Sequence, residues 1–92
     1  MTELTAVIKA PGEKLLRVAV RHGGGVLSSV RMSGDFFMYP EESIDILERA
    51  LVGVAVEEQA LIGVLEYEIS HNGIELAGVS AASIARAICA AK

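Results

Sequence analysis

Val30-Arg-Met-Ser-Gly34-Asp-Phe-Phe37-Met-Tyr-Pro40-Glu-Glu42 holds the seam at which one periodicity gives way to another. Before it, apolar residues alternate; after it, they recur every three to four positions. Gly34 lets the backbone turn sharply. A carboxylate follows, then two phenylalanines, just ahead of Tyr39-Pro40 and an acidic helix start. Phe36 and Phe37 are half of the chain's aromatic residues, which are two Phe and two Tyr with no Trp. The stretch fixes either the strand-to-helix corner itself or a partner docked against it.

Upstream of the seam the pattern is β. Residues 4–10 are rich in Val, Ile and Thr and read as a first strand. Pro11-Gly12-Glu13 is a turn, with proline presetting φ and glycine accepting φ > 0. Residues 14–22 alternate: Leu16, Val18 and Val20 face one way, and Leu15, Arg17, Ala19 and Arg21 the other. Gly23-Gly24-Gly25 is a loop, and residues 26–33 form a third strand. With all three glycines in the loop, His22 lies opposite Val26. Leu16 then meets Met32, Val18 meets Val30, Val20 meets Ser28, and Arg17 meets Arg31 on the outer face. A slip of one residue would mix the faces, which a half-buried sheet resists. Facing arginines invite an anion or an acidic partner; the alternative is two solvated side chains that splay apart.

Downstream the pattern is helical. Pro40 suits the first turn of a helix, where its missing N–H costs nothing. Glu41, Glu42 and Asp45 lie near the positive end of that helix, and Asp45 and Arg49 are spaced i,i+4. Ile44, Leu47 and Leu51 form its apolar stripe, and Gly53 ends it. A second helix spans residues 57–71, with Leu61, Val64, Leu65 and Ile69 inward and Asn72-Gly73 after it. Ser80 caps a third helix that buries Ile84, Ala87 and Ile88. Three strands followed by three helices make an α+β fold, with the helices on one face of a three-stranded antiparallel sheet.

The chain has 92 residues, which predicts one domain over residues 1–92. Its apolar content is 52%, high for a body able to bury so little of its surface. That excess marks either a partner surface or an alanine-rich helical core. No apolar run is long enough to span a bilayer and no signal-peptide pattern opens the chain, so a cytoplasmic location is expected. A single cysteine, Cys89, excludes an internal disulfide and any multi-cysteine metal site. Residues 1–34 hold five basic and two acidic side chains; residues 35–92 hold three and ten, for a formal net charge of −4. Such a dipolar module does not resemble a general nucleic-acid binder.

Catalytic chemistry is mostly missing. The triple glycine joins two antiparallel strands and does not open onto a helix, so it reads as a hairpin turn and not a phosphate cradle. His22 and His71 have no nucleophile or ligand set beside them. Glu68 and His71 make at most half a metal site. Glu66 and Glu68 point to different faces of their helix. No catalytic residue and no metal site is assigned.

Three patterns occur together: Lys9-Ala-Pro-Gly12-Glu-Lys14-Leu15 leading into a strand, Val30-Arg-Met-Ser-Gly34-Asp35-Phe36-Phe37, and Pro40-Glu-Glu followed by a helix and Leu51-Val-Gly53. Together they resemble the C-terminal accessory domain of lipoate–protein ligase, in the form in which that domain is a separate small protein beside a catalytic subunit. The resemblance covers nearly the whole chain. The Gly-Asp-Phe-Phe motif is its most specific part, the lysine-glycine turn supports it, and the helical half is generic.

The resemblance implies a fold similar to iron–sulfur assembly scaffolds (SufE/NifU-like). It also implies a ligase that activates lipoate with ATP to lipoyl-AMP and passes the lipoyl group to a lysine of an acceptor domain. The small domain is implied to serve adenylation more than transfer. Lipoate, ATP and Mg would be held by the partner subunit in a heterodimer, with no cofactor on this chain alone. Lys14 is the foremost candidate for a cation brought to the developing phosphate charge, and Lys9 the second, because both flank the turn at Gly12. The alternative is that both lysines only solvate the loop. Gly12, Gly34, Asp35, Phe36 and Phe37 are the other interface or site-closing candidates, and Arg17 and Arg31 mark a basic sheet face. Asp35 either caps backbone N–H groups at the corner or meets the partner. One phenylalanine is expected in the core and the other at an interface. The rival readings are a free-standing module for an anionic ligand and a sulfur-transfer partner of related fold, which would need an activated cysteine on a loop.

Overall fold

The hairpin at the centre of the sheet turns on two glycines, not three. In the computed structural model, which describes residues 3–92, β2 (Leu16–Gly23) and β3 (Val26–Gly34) are joined by Gly24 and Gly25. Their φ values are 63° and 81°, both in the region that a two-residue hairpin turn of the mirror-image type requires. Gly23 therefore belongs to the strand and pairs with Val26. The register differs from the expected one as a result. Leu16 pairs with Gly34, Val18 with Met32, and Val20 with Val30. Arg17 lies opposite Ser33 and Arg31 opposite Ala19, so the expected Arg17–Arg31 pair does not form.

The core faces survive because the register moves by two residues, which preserves parity. One irregularity breaks that parity. Arg21 pairs with Ser29, but His22 pairs with Leu27, so Ser28 is an extra residue on β3. Beyond this bulge the faces exchange. Leu27 enters the core, and Ser28, expected inside, is exposed.

β1 (Leu4–Ile8) pairs antiparallel with β2, giving the order β1-β2-β3. The turn between them is built as expected: the Glu13 N–H donates to the Ala10 carbonyl at 2.9 Å, and Gly12 has φ 77°. Proline followed by a positive-φ glycine is the signature of a type II turn.

Past the seam, α1 (Ser43–Leu51) begins later than expected. Pro40 lies before it, and the Pro40 carbonyl accepts from the Ser43 N–H at 3.0 Å. The Tyr39–Pro40 peptide bond is cis. Gly53, with φ 87°, ends the helix as expected, and Asp45 and Arg49 form their ion pair. In α2 (Glu58–His71) the Glu57 carboxylate accepts from the Gln59 and Ala60 N–H groups as N-cap. The Ile74 N–H returns to the Ile69 carbonyl at 2.9 Å, the closing bond of a glycine-ended helix, with Gly73 at φ 61°. α3 (Ala81–Ala90) opens on a reciprocal box between Ser80 and Ser83.

Two short strands were not expected. β4 (Phe37–Tyr39) pairs antiparallel with β5 (Glu75–Ala77), which lies between α2 and α3. Strands and helices are therefore not fully segregated along the chain, although the class remains α+β.

The inner face of the sheet carries Leu16, Val18, Val20, Leu27, Val30 and Met32, all buried. α1 packs on β3, and α3 on β1 and β2; α2 lies against both helices. Leu47, Leu51, Leu61, Leu65, Ile84 and Ile88 close the core between them. Both sheet edges are partly covered, which limits unwanted strand pairing. Thr5 and Lys92 exchange backbone hydrogen bonds at the β1 edge. At the β3 edge, Leu27 donates to the Val54 carbonyl, and the Met32 N–H donates to Glu48 Oε2 at 2.7 Å.

Candidate functional site at the Gly34–Phe37 corner

The corner is made by close backbone approach. The Asp35 N–H donates to the Leu15 carbonyl at 3.0 Å, tying the seam to the start of β2. Gly34 has φ 149°, and a Cβ there would collide with that same carbonyl oxygen. Only glycine meets both demands. Next to this contact the Lys14 N–H donates to the Gly78 carbonyl at 2.8 Å. Gly78 has φ 93°, and a Cβ on it would lie 2.7 Å from Lys14 Cγ and 3.4 Å from Phe36 Cα. Gly78 therefore leaves room for the aliphatic stem of Lys14. Three separated segments, residues 14–15, 34–37 and 77–78, meet here.

The two phenylalanines part company as alternation along β4 dictates. Phe36 is buried at 7% exposure, and Phe37 is 76% exposed. Met38 turns inward, and Tyr39 comes out again at 68%. Asp35 is exposed, and its carboxylate makes no hydrogen bond or ion pair among the described residues, so the capping role weighed for it is not present. Lys9, Gly12 and Lys14 are exposed along the first turn. The structure thus brings Lys14 to the corner residues, while Lys9 is exposed on the other arm of the turn.

The outer face of the sheet is basic. Arg17, Arg21 and Arg31 are exposed there and form no ion pair among the described residues. A depression of about 370 Å³ is lined by Glu3, Ala19, Arg21, Ser29 and Arg31. No aromatic residue stands on this face: Phe36 is in the core, Phe37 and Tyr39 are on β4, and Tyr67 stacks on His71 along α2. Among the described residues, no group of three His, Cys, Asp or Glu side chains is placed to hold a metal. No helix among them is long and apolar enough to cross a membrane.

No protein-family model matches the chain. Lipoate-protein ligase A subunit 2 of Thermoplasma acidophilum is 43% identical over 44 residues, an alignment covering 48% of this chain and 47% of that protein. The match thus spans about half the length of that curated relative. The fold extends the likeness to nearly the full chain. A solved structure of an archaeal lipoylation system, a bi-partite lipoate protein ligase and its E2 lipoyl domain from the same organism, contains a chain that superposes with a TM-score of 0.79. The superposition covers 95% of this chain and 94% of that one, at 28% identity. The chain is similar to lipoate-protein ligase A subunit 2 in sequence over about half its length, and to a chain of the bi-partite ligase in fold over nearly all of it.

The sulfur-transfer alternative loses its footing at Cys89. That residue is exposed in the last turn of α3, not on a loop. Its thiol is pushed above its ordinary value, first by partial burial of the sulfur and then by the Glu58 and Glu57 carboxylates. A sulfur carrier needs the opposite shift, toward thiolate. Gly78 and Glu48 make contacts that the sequence does not announce. Gly78 closes a glycine bracket, Gly73–Gly78, which hints at a turn but not at its contact with Lys14. Glu48 carried no signal, because its partner is a backbone N–H on another element.

Proposed function

We propose that this chain is the accessory subunit of a two-component lipoate–protein ligase, working with a separate catalytic chain in the cytoplasm. The observation that carries the reading is the superposition of nearly the whole chain on one from a bi-partite lipoate protein ligase. In this reading the catalytic chain binds lipoate, ATP and Mg and makes the mixed anhydride lipoyl-AMP. The present chain forms no bonds. It completes the site by closure and by placing a cation, and it meets lipoyl-acceptor domains only indirectly. Adenylation concentrates negative charge on phosphate, and a preorganised cation at a water-poor site lowers that barrier. Lys14 suits this part: its backbone and stem are held by Gly78 while its side chain is exposed. Lys9 is second.

Co-purification with a catalytic chain, followed by lipoate- and ATP-dependent pyrophosphate release, tests the proposal. Association and a rate increase support it; failure to associate rejects it.

A second reading, a module for an anionic ligand, is favoured by the depression between Arg21 and Arg31. Titration with inorganic phosphate, comparing the wild type with R21E/R31E, tests it. Equal signals from the two proteins reject it.

A further inference from the structure

We infer that the outer face of the β4–β5 ribbon is the surface that docks on the catalytic chain, with Phe37 and Tyr39 as its anchors. The inference rests on the accessory-subunit reading and names the face that reading leaves open.

Phe37 and Tyr39 are two of only four aromatic residues, and both stand out in solvent at 76% and 68% exposure. They are i and i+2 on one short strand, so their rings project from the same face. The ribbon beneath them is fixed. Met38 between them is buried and pairs with Leu76, while Phe37 lies opposite the small Ala77 and Tyr39 opposite Glu75. Aromatics held rigidly on a strand lose little freedom on binding, and interface cores are enriched in such residues. The basic sheet face offers charged side chains and no aromatic anchor.

Charge identifies the occupant's chemistry. Asp35, Glu41 and Glu75 border the pair and are exposed, whereas Lys14 stands at the Phe37 end beside Gly78. An acidic rim around two rings fits an apolar pocket with a basic border on the partner. Seating the ribbon in such a pocket carries Lys14 onto the partner's surface as well. Docking and cation delivery then use one face.

The test is calorimetric titration of the purified catalytic chain with the full-length wild type, F37A/Y39A, A77R and R21E/R31E. Thermal melts check each fold. A77R crowds the same face while leaving both rings intact, so a folding defect in the double alanine variant does not decide the result. Expected are a Kd weakened about tenfold or more for F37A/Y39A and for A77R, with R21E/R31E close to the wild type. Wild-type binding with unchanged affinity in F37A/Y39A and A77R overturns the inference and leaves the accessory-subunit reading standing; a loss confined to R21E/R31E would move the interface to the sheet face. No binding by the wild type overturns both. Sedimentation that shows the wild type to be a dimer, and F37A/Y39A a monomer, assigns the face to a second copy of this chain and overturns the inference.

Discussion

Gly34 sits against the carbonyl oxygen of Leu15 so closely that no side chain fits between them. The same carbonyl accepts the hydrogen bond of the Asp35 N–H, so it cannot withdraw without breaking the corner. Gly34→Ala meets this clash and a φ of 149° together. The expected loss is about 2–4 kcal/mol, read as a fall in Tm of at least about 10 °C. Gly12→Ala is the comparison: its φ is 77°, but nothing lies within 4 Å of the added Cβ. It should cost about 1–2 kcal/mol. Equal losses in the two variants would remove the close-packed corner from the account.

Glu48 reaches from α1 to the edge of β3 and accepts the Met32 N–H. Glu48→Ala leaves that N–H without its charged partner. The expected cost is about 1.5–3 kcal/mol, measured by urea denaturation. Amide exchange at Met32 should accelerate more than at Val30. A loss of stability with unaltered exchange at Met32 would mean that the hydrogen bond is not what Glu48 contributes.

Cys89 should be a slow thiol. Burial and the Glu58 and Glu57 carboxylates disfavour the thiolate, so its folded pKa lies above the ordinary thiol value. Alkylation by iodoacetamide should rise with pH along a curve displaced to higher pH than that of the unfolded chain. Glu58→Gln should shift the curve back toward neutrality. The linkage sign follows: the protonated thiol is favoured by folding below the unfolded pKa, and the advantage fades as pH rises through the folded one. Faster alkylation than in the unfolded chain at pH 7 would contradict this.

Lys14→Ala should leave the fold intact, since the ammonium end is exposed and the backbone bond to Gly78 does not need it. Pyrophosphate release by the two-chain enzyme should fall about tenfold or more, or about 1.4 kcal/mol. Transfer from preformed lipoyl-AMP should change far less. Lys9→Ala should have the smaller effect on release. A normal adenylation rate in Lys14→Ala removes the lysine from the proposed role.

The sequence spoke clearly where a residue type leaves the backbone one option. Alternation from Leu16 to Val20 set the buried face, Ser80 marked the start of α3, and Gly53 marked the end of α1. Three consecutive glycines, by contrast, do not say which two will take positive φ, and the pairing register depended on that choice. The extra residue at Ser28 was equally silent, though without it Leu27 would face water. Pairing of residues 37–39 with residues 75–77 depends on contacts distant along the chain, and three residues are too few to show a period. That missing strand is why one phenylalanine could be expected in the core without saying which. Once β4 is present, alternation puts Phe36 and Met38 inside and Phe37 outside. The lysine-glycine turn and the Gly-Asp-Phe-Phe corner were visible as separate motifs. Gly78, which joins them, was not.

The most direct measurement is a titration of the purified catalytic chain with this protein at saturating lipoate and ATP, following formation of lipoyl-AMP. The account predicts little product without the small chain and a rate that climbs to a plateau at one equivalent. A catalytic chain that makes lipoyl-AMP at the same rate alone, or a rate that ignores the titrant, contradicts it.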